Sequence, residues 1–335
     1  MKIEQNYSLQ HLNTFHLPAK ARWFMEYENE TELKTILSEA CSHKQSILPI
    51  GQGSNMLFVN DFNGIVLHSS IKGITTIAET ETTVLIRIGA SEIWDDVVAY
   101  TIDKGWGGIE NLSLIPGETG AAAVQNIGAY GVEIKDVIET VESISTLNFE
   151  KRIFSNDDCG YAYRNSIFKE IPTYIVTYVT LRLQKQPEFH LEYGNLKEIL
   201  NADEPVTLQK VRETVIAIRR KKLPDPNESG NAGSFFMNPV ITSEKLAQLI
   251  KDYPAIPHYP DENGNVKLST GWLIEQCGLK GKRFGQVGVY EHQALVIVNY
   301  GGATGSEIAR LADHIREIVY ERFNVQLVPE VKYIL

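Results

Sequence analysis

Apolar side chains recur at helical spacing over several parts of the chain. Leu33, Ile36, Leu37 and Ala40 fall at i, i+3, i+4 and i+7 and predict a helix over 30–44. Asn29, with Glu32 three residues on, has the form of a capping box at its start. Residues 91–104 read as a second helix, with Ser91 as N-cap and Gly105 just past the end. Leu208, Val211, Val215 and Ile218 give a third over 207–222. Ser306 is read as the cap of a long helix carrying Ile308, Leu311, Ala312, Ile315, Val319 and Phe323 on one face. Strand-like segments fall at 46–50, 64–68, 82–89, 137–147, 174–183 and 294–299. The early segments make a short β-α-β unit, and an α/β or α+β first domain follows.

Breaks in the pattern are as informative. Leu223-Pro224-Asp225-Pro226 is a sharp stop and the best domain boundary in the sequence. Residues 115–131 are dense in glycine and alanine, a composition poor for helix and strand alike. It permits close backbone approach to a flat or charged ligand, or serves as a long connection. Gly51-Gln52-Gly53-Ser54-Asn55 follows a strand and is either a turn or an anion-binding nest. It is neither a Walker loop nor a Rossmann fingerprint, since no third glycine or Lys-Ser/Thr follows.

Composition narrows the field. A chain of 335 residues suggests two or three domains, at about 100–200 residues each. Lysine and arginine number 32 against 42 aspartate and glutamate, a net charge of −10 that argues against nucleic-acid binding. The three cysteines, Cys41, Cys159 and Cys277, are scattered, and the eight histidines show no zinc spacing. No apolar run reaches signal-peptide or membrane-span length, so the expectation is a soluble, cytoplasmic protein.

Candidate chemistry concentrates in four places. In Gly233-Ser234-Phe235-Phe236-Met237-Asn238-Pro239 a glycine turn presents one hydroxyl before two phenylalanines that can exclude water; an ordinary turn entering a strand fits equally. Arg164 sits among aromatic and apolar residues, as a surface cation or as an enclosed one that meets a carboxylate. The run Arg219-Arg220-Lys221-Lys222 suits a helix C-terminus, or an anionic ligand. Glu330 is a lone carboxylate in an apolar strand-like tail, costly if buried unpaired. Glu192-Tyr193-Gly194-Asn195 and the segment from Tyr259 through Glu262 and Asn263 to Gly264 read as turns.

Eight segments occur in a fixed order: Asn13-Thr14-Phe15, Gly51-Gln52-Gly53-Ser54-Asn55, Ile115-Pro116-Gly117, Gln125-Asn126-Ile127-Gly128-Ala129-Tyr130-Gly131, Tyr163-Arg164-Asn165-Ser166-Ile167-Phe168, Lys222-Leu223-Pro224-Asp225-Pro226, the Ser234 stretch, and Pro329-Glu330-Val331. Together they resemble the UDP-N-acetylenolpyruvoylglucosamine reductase family of bacterial cell-wall flavoenzymes, over nearly the whole length. The resemblance implies an α+β fold of three domains, with a two-part FAD-binding region of the vanillyl-alcohol-oxidase/PCMH superfamily type. Residues 1–72 would be the first FAD-binding subdomain, with the tail 325–335 returning to it. Residues 73–222 would be the second, and 223–324 a substrate-binding domain. The Tyr193 segment is similar to the substrate-covering loop of the family's first subtype.

The same resemblance implies non-covalent FAD, NADPH as co-substrate, and reduction of UDP-N-acetylglucosamine enolpyruvate to UDP-N-acetylmuramate for peptidoglycan. Ser234 is similar to the family's proton donor, and Arg164 and Glu330 match its other two active-site positions. FAD contacts match Gly51, Gln52, Gly53, Ser54, Asn55, Gly117, Gly120, Ala121, Ala122, Gln125, Asn126, Gly128, Ala129, Tyr130, Gly131 and Tyr163. Substrate or nicotinamide contacts match Tyr193, Lys222, Asn238, Tyr259 and Gln293. No metal, nucleic acid or membrane is implied, and a monomer is expected.

Two positions depart from the family pattern. Gln52 stands where an acidic residue is common, and Ala121-Ala122 replaces a serine pair found in some members; either change alters hydrogen bonding to a flavin. Two rival readings share part of this frame. An oxidase of the same superfamily would often tether its flavin through histidine or cysteine, and none lies within 117–131. A flavin-binding module without catalysis would bind the cofactor and consume no NADPH.

Overall fold

Alternating buried and exposed positions build two sheets in the unit formed by Met1–Tyr7, Ala21–Gln52 and Asn63–Arg219. The computed structural model describes residues 1–194, 196–200, 205–261 and 264–335. Asn195 of the Tyr193 segment, and Glu262 and Asn263 of the turn read after Tyr259, lie outside the described residues.

The first sheet has the strand order Lys2–Ser8, Lys20–Tyr27, Phe62–Ser69, Ile47–Ile50, and its last two strands run parallel with Ile47 opposite Ile65. Helix Glu30–Ser42 joins Lys20–Tyr27, a strand the sequence pattern did not mark, to Ile47–Ile50; the two predicted strands both follow the helix and pair in parallel. Asn29 Oδ1 accepts from the Glu32 amide at 2.9 Å. Glu32 answers by accepting from the Glu28 amide at 3.0 Å, one residue off the reciprocal bond of a full capping box. The predicted apolar face is buried between Tyr27, Ile65 and Leu67 of this sheet and Ile144 and Ile175 of the next.

The second sheet is antiparallel, in the order Lys151–Ser155, Ile138–Ser145, Tyr174–Gln184, Thr83–Gly89, Ile74–Glu79. Its core residues, among them Val84, Ile86, Ile88, Val179 and Leu181, share a cluster with Trp94, Val97 and Val98 of helix Trp94–Asp103. This helix starts three residues later than expected. Ser91 does not cap it; its hydroxyl donates to the Ile71 carbonyl at 2.8 Å, and Ile93 takes the cap position. A buried backbone acceptor outcompeted the helix end for that hydroxyl. Strand Lys151–Ser155 went unpredicted because only Phe154 within it is buried.

The glycine- and alanine-rich stretch also differs from expectation, since Thr119–Gln125 is a helix. Its three alanines are the best helix formers, and the glycines that break helices fall mostly outside it. A Cβ on Gly120 would meet Ala90 Cβ at 2.8 Å, and Ala122 and Ala123 fill the same core. The small residues serve packing here as well as any ligand.

The second unit comprises Ser8–Lys20, Gly53–Phe62 and Arg220–Leu335. Two three-stranded sheets order as Val240–Ile241, Val266–Leu268, His258–Pro260 and as Arg283–Phe284, Val287–Val289, Ile297–Asn299. The last strand is shorter than the predicted 294–299 because Val296 N donates to Gln293 O at 3.0 Å and bends the chain there. Helices Ser243–Asp252, Thr270–Gln276 and Gly305–Phe323 complete the unit. The long helix is capped by Thr304, not Ser306. Thr304 Oγ1 accepts from Glu307 N at 3.3 Å, and Glu307 Oε2 accepts from Thr304 N at 2.8 Å.

Antiparallel sheets with helices packed on them make the chain α+β. Among the described residues, no helix is long and apolar enough to cross a membrane.

Helix Gly305–Phe323 starts hard against the strand Met56–Phe58. A Cβ on Gly305 would overlap the Phe58 carbonyl oxygen, with Val59 Cα 2.8 Å away. Neither backbone can yield cheaply. Gly305→Ala should therefore lower unfolding free energy by about 2 kcal/mol or more in urea titration; an unchanged midpoint would show that the helix start shifts freely.

Candidate active site

The candidate residues assemble within each unit from loops that rigid elements hold. In the first unit, Gly51 and Gln52 end the strand Ile47–Ile50, and Gln52 Oε1 accepts from Gly117 N at 3.0 Å. Gln52, where an acidic residue was noted as common, thus ties the two glycine-rich stretches together through a neutral amide. Gly117, with φ +130°, leads into Glu118, the cap residue of Thr119–Gln125. Ala122 is in the core and Ala121 is half-buried.

Asn126 ends that helix in the left-handed region, φ +44°, and is fully buried. Its Nδ2 donates to Glu133 Oε2 at 3.1 Å and to Ala162 O at 2.9 Å, and its Oδ1 accepts from Lys135 N at 3.2 Å. These bonds anchor the turn that carries Arg164. Ala162 and Asn165 pair across it, with Tyr163 and Arg164 at its tip and Arg164 at φ +55°.

The Arg164 guanidinium folds back on the second glycine-rich stretch. Nη2 donates to Gly128 O at 2.7 Å and Nη1 to Asn126 O at 3.4 Å, while Glu133 lies 3.9 Å away. A Cβ on Gly128 would come within 2.9 Å of Nη1 and of Glu133 Cγ, and 3.1 Å from Val132 O, so the cation packs closely against this glycine. Of the two readings left open, the enclosed cation is the observed one.

Tyr130 and Tyr193 meet edge to face at 6.2 Å, with Tyr193 exposed. Asn111 supports both sides of this contact, donating to Tyr130 O at 2.9 Å and His190 O at 2.8 Å. Sequence reading passed over Asn111, which has no periodic or motif signal. It also missed which basic residue of the run after Ile218 turns inward. Arg219 does; its Nε donates to Leu114 O at 3.3 Å. Burial pushes its guanidinium below its usual range, against the opposing pull of Tyr130 and Asp95. The clue was in the spacing, because Val211, Val215 and Arg219 lie four apart on one face. Lys222 is exposed at the helix end.

In the second unit Ser234 is half-buried in an extended segment. Gly233, at φ +68°, turns into it, and its amide donates to Asn231 Oδ1 at 2.9 Å. Ser234 bridges Val296, Phe235 N donates to Leu295 O at 2.8 Å, and Glu330 N donates to Phe235 O at 2.8 Å. Glu330 is therefore next to the serine segment, in a half-exposed bend ahead of the strand Lys332–Ile334 rather than within a strand. Asn55 Nδ2 donates to Glu330 O at 3.2 Å and brings the first glycine loop to the same place. Phe235 and Phe236 are fully buried core residues, so they brace the segment.

Asn238 Oδ1 accepts from Thr270 N at 3.0 Å, and Gln293 closes the turn whose Leu295 receives Phe235. Tyr259 is exposed on the strand His258–Pro260, opposite Lys267.

The donor set fits an FAD. Backbone groups of glycine turns are accompanied in each unit by hydroxyls and amides, Gln125, Tyr130 and Tyr163 in the first and Ser54 and Asn55 in the second. Thr14 Oγ1 is buried without a partner, and its own amide donates to Gly53 O at 3.5 Å. An orphaned hydroxyl beside a glycine turn is the kind of group a bound polar ligand satisfies. Gly53, φ +61°, has no room for a Cβ, which would overlap the Leu12 carbonyl. Among the described residues no cluster of histidine, cysteine, aspartate or glutamate could hold a metal ion.

Comparison with known proteins gives the fold and the family. The crystal structure of a UDP-N-acetylenolpyruvylglucosamine reductase from Thermus caldophilus superposes over 99% of both chains, at 22% identity and a TM-score of 0.71. That of 6-hydroxy-D-nicotine oxidase from Arthrobacter nicotinovorans covers 97% of this chain and 86% of its own, at 10% identity and a TM-score of 0.53. Both likenesses concern the fold. A model of the FAD binding domain matches residues 21–147, and the class is that of FAD-dependent oxidoreductases. Residues 225–334 match the model described as UDP-N-acetylenolpyruvoylglucosamine reductase, C-terminal domain. The chain is 50% identical to the Porphyromonas gingivalis UDP-N-acetylenolpyruvoylglucosamine reductase over 100% of both. It is 46% identical to the Bacteroides fragilis enzyme over 99% of this chain and 100% of the other, and 44% to that of Pasteurella multocida over 98% and 96%. The chain belongs to the UDP-N-acetylenolpyruvoylglucosamine reductase family.

Asn126 is the hinge of the Arg164 arrangement. Asn126→Ala should cost about 2–3 kcal/mol in urea unfolding, from lost buried hydrogen bonds and a left-handed alanine. A loss below about 1 kcal/mol would mean the turn is held without it.

Proposed function

We propose that the chain reduces UDP-N-acetylglucosamine enolpyruvate to UDP-N-acetylmuramate with NADPH, through non-covalently bound FAD, for peptidoglycan precursor synthesis. The observation that carries this is full-length similarity to the Porphyromonas gingivalis reductase, 50% identity over 100% of both chains. In this reading residues 1–72 and 73–222 hold the cofactor and 223–324 bind substrate. The protein works as a cytoplasmic monomer on small molecules, without nucleic acid or membrane.

Bound flavin supplies the redox chemistry, relaying hydride from NADPH to the enolpyruvyl double bond. Gly51, Gln52, Gly53, Ser54, Asn55, Tyr163 and the 117–131 stretch would hold it. Arg164 stabilises negative charge that grows at the substrate carboxylate during reduction. A cation fixed in advance costs no reorganisation at that moment. Its bonds to Gly128 O and Asn126 O supply that fixity. Ser234 then donates its proton to the substrate α-carbon. A hydroxyl is a weak acid, but a carbanion held close is a strong base, so no neighbouring histidine is required. Glu330 assists beside it, placed through the bond from its amide to Phe235 O. Tyr193, Lys222, Asn238, Tyr259 and Gln293 orient the nucleotide sugar and the nicotinamide, with Arg219 as a further cation for the same anionic ligands.

Consumption of NADPH on addition of the enolpyruvyl sugar tests the assignment; a flavin-containing protein that leaves NADPH untouched would refute it. Ser234→Ala should leave flavin reduction by NADPH near normal and slow reoxidation by the enolpyruvyl sugar by about 10³-fold or more in stopped-flow absorbance. Equal slowing of both halves would remove Ser234 from the proton-donor role. Lys222→Ala should raise substrate KM by about tenfold with kcat little changed, as for a group that binds ground and transition states alike; an unaltered KM would leave Lys222 a helix-end residue.

A further inference from the structure

Behind the junction of the two glycine-rich stretches sits a charged triad that the reaction above does not use. His68, on the strand Phe62–Ser69, lies between two carboxylates. Its Nδ1 is 3.0 Å from Glu26 Oε1 and its Nε2 is 3.1 Å from Glu118 Oε1. Both ring nitrogens face carboxyl oxygens; with both carboxylates ionised, both contacts are hydrogen bonds only when the ring is the doubly protonated imidazolium. Phe24 stacks on the ring at 6.3 Å, and the imidazole is largely buried.

Glu118 connects the triad to the cofactor region. It is buried, it follows Gly117, whose amide Gln52 holds, and its Oε2 would lie 2.9 Å from a Cβ on Gly51. A buried carboxylate against a loop that receives a dianionic diphosphate is repulsive unless its charge is offset. The imidazolium offsets it. Neutral His68 would leave two carboxylates around an uncharged ring whose single N–H can donate to Glu26 or to Glu118 but not to both.

We propose that His68 is a positioning residue for FAD: as an imidazolium it holds Glu118 in place beneath Gly51 and cancels its charge, and the cofactor is released more readily when His68 loses its proton. The charged surroundings favour the protonated ring. Burial alone would lower the imidazole, but Glu118 and Glu26 outweigh it and hold His68 above its ordinary value. Burial likewise tends to raise Glu26, and its bonds to His68 and Ser70, with Lys2 nearby, hold it lower. Other titratable groups that act nearby are Glu4 and Tyr7, through Lys2, and Tyr27, which feels both Glu118 and Glu30. Because the folded value is raised, the contact is complete below the ordinary imidazole range and is lost as pH rises through the higher folded value.

This inference rests on the FAD reading of the glycine-rich stretches. The test is FAD dissociation from the holoenzyme on dilution, read as recovered flavin fluorescence, between about pH 6 and pH 9. The wild-type Kd should rise by about tenfold or more across that interval. His68→Gln should bind FAD as weakly at the acid end as the wild type does at the alkaline end, with a flat profile. Glu26→Gln, which keeps the Glu118 contact, should move the midpoint to lower pH and serves alone should His68→Gln not fold. A wild-type profile in His68→Gln, or an unmoved midpoint in Glu26→Gln, would overturn the role of His68 while leaving FAD as the cofactor. Failure to retain FAD at any pH would instead remove the cofactor reading, and this proposal with it.

Discussion

The backbone of Glu330 is the fastening on which the second unit depends. Its amide donates to Phe235 O, its carbonyl accepts from Asn55 Nδ2, and two residues on the chain enters a parallel pairing of Lys332–Ile334 with Met56–Phe58. Buried peptide groups must find partners, and here three segments far apart in sequence satisfy one another. The same lacing continues through Met237 N to Val328 O and Phe235 N to Leu295 O. Ser234 is held between two neighbouring segments as a result, while Phe235 and Phe236 fill the core beneath. A hydroxyl on a free turn would wander; one on a laced segment does not.

The first unit meets a different constraint, the placing of charge in a half-buried region. Arg164 is kept close to the second glycine-rich stretch by two carbonyls, and a Cβ at 128 would crowd its guanidinium. Asn126 takes a left-handed conformation that a larger side chain would resist, and its three hydrogen bonds recover the strain. Asp95 shows the complementary solution. Burial would raise its carboxyl, but the paired bonds from Arg212 at 2.6 and 2.9 Å outweigh that and hold it low. Arg212 is thereby committed to structure, and Arg219, two turns along, is the arginine left facing Tyr130.

The helices with clean periodicity were legible because their apolar stripes are their reason for folding. Leu33, Ile36, Leu37 and Ala40 are all buried, as are Ile308, Leu311, Ala312, Ile315, Val319 and Phe323. Helix starts were less legible. A serine near a helix start can cap it or can close a distant carbonyl, and Ser91 does the latter for Ile71. Helix Thr119–Gln125 was hidden by the glycines around its three helix-favouring alanines, and the one glycine inside it, Gly120, is set by the closeness of Ala90.

Sequence alone determined the family likeness, the periodic helices, and which residue types bear chemistry: a serine after a glycine turn, an arginine among aromatics, a lone carboxylate near the end. These are local facts, carried by spacing and residue identity. Tertiary structure decided the partners. It set Glu330 beside the Ser234 segment, laid Arg164 on Gly128, turned Arg219 inward, and put His68 between Glu26 and Glu118. Hydrogen bonds and charge pairs act over a few ångströms in space. Positions 26, 68 and 118 come that near only once the strands have paired and the helices have packed, and no local pattern records it.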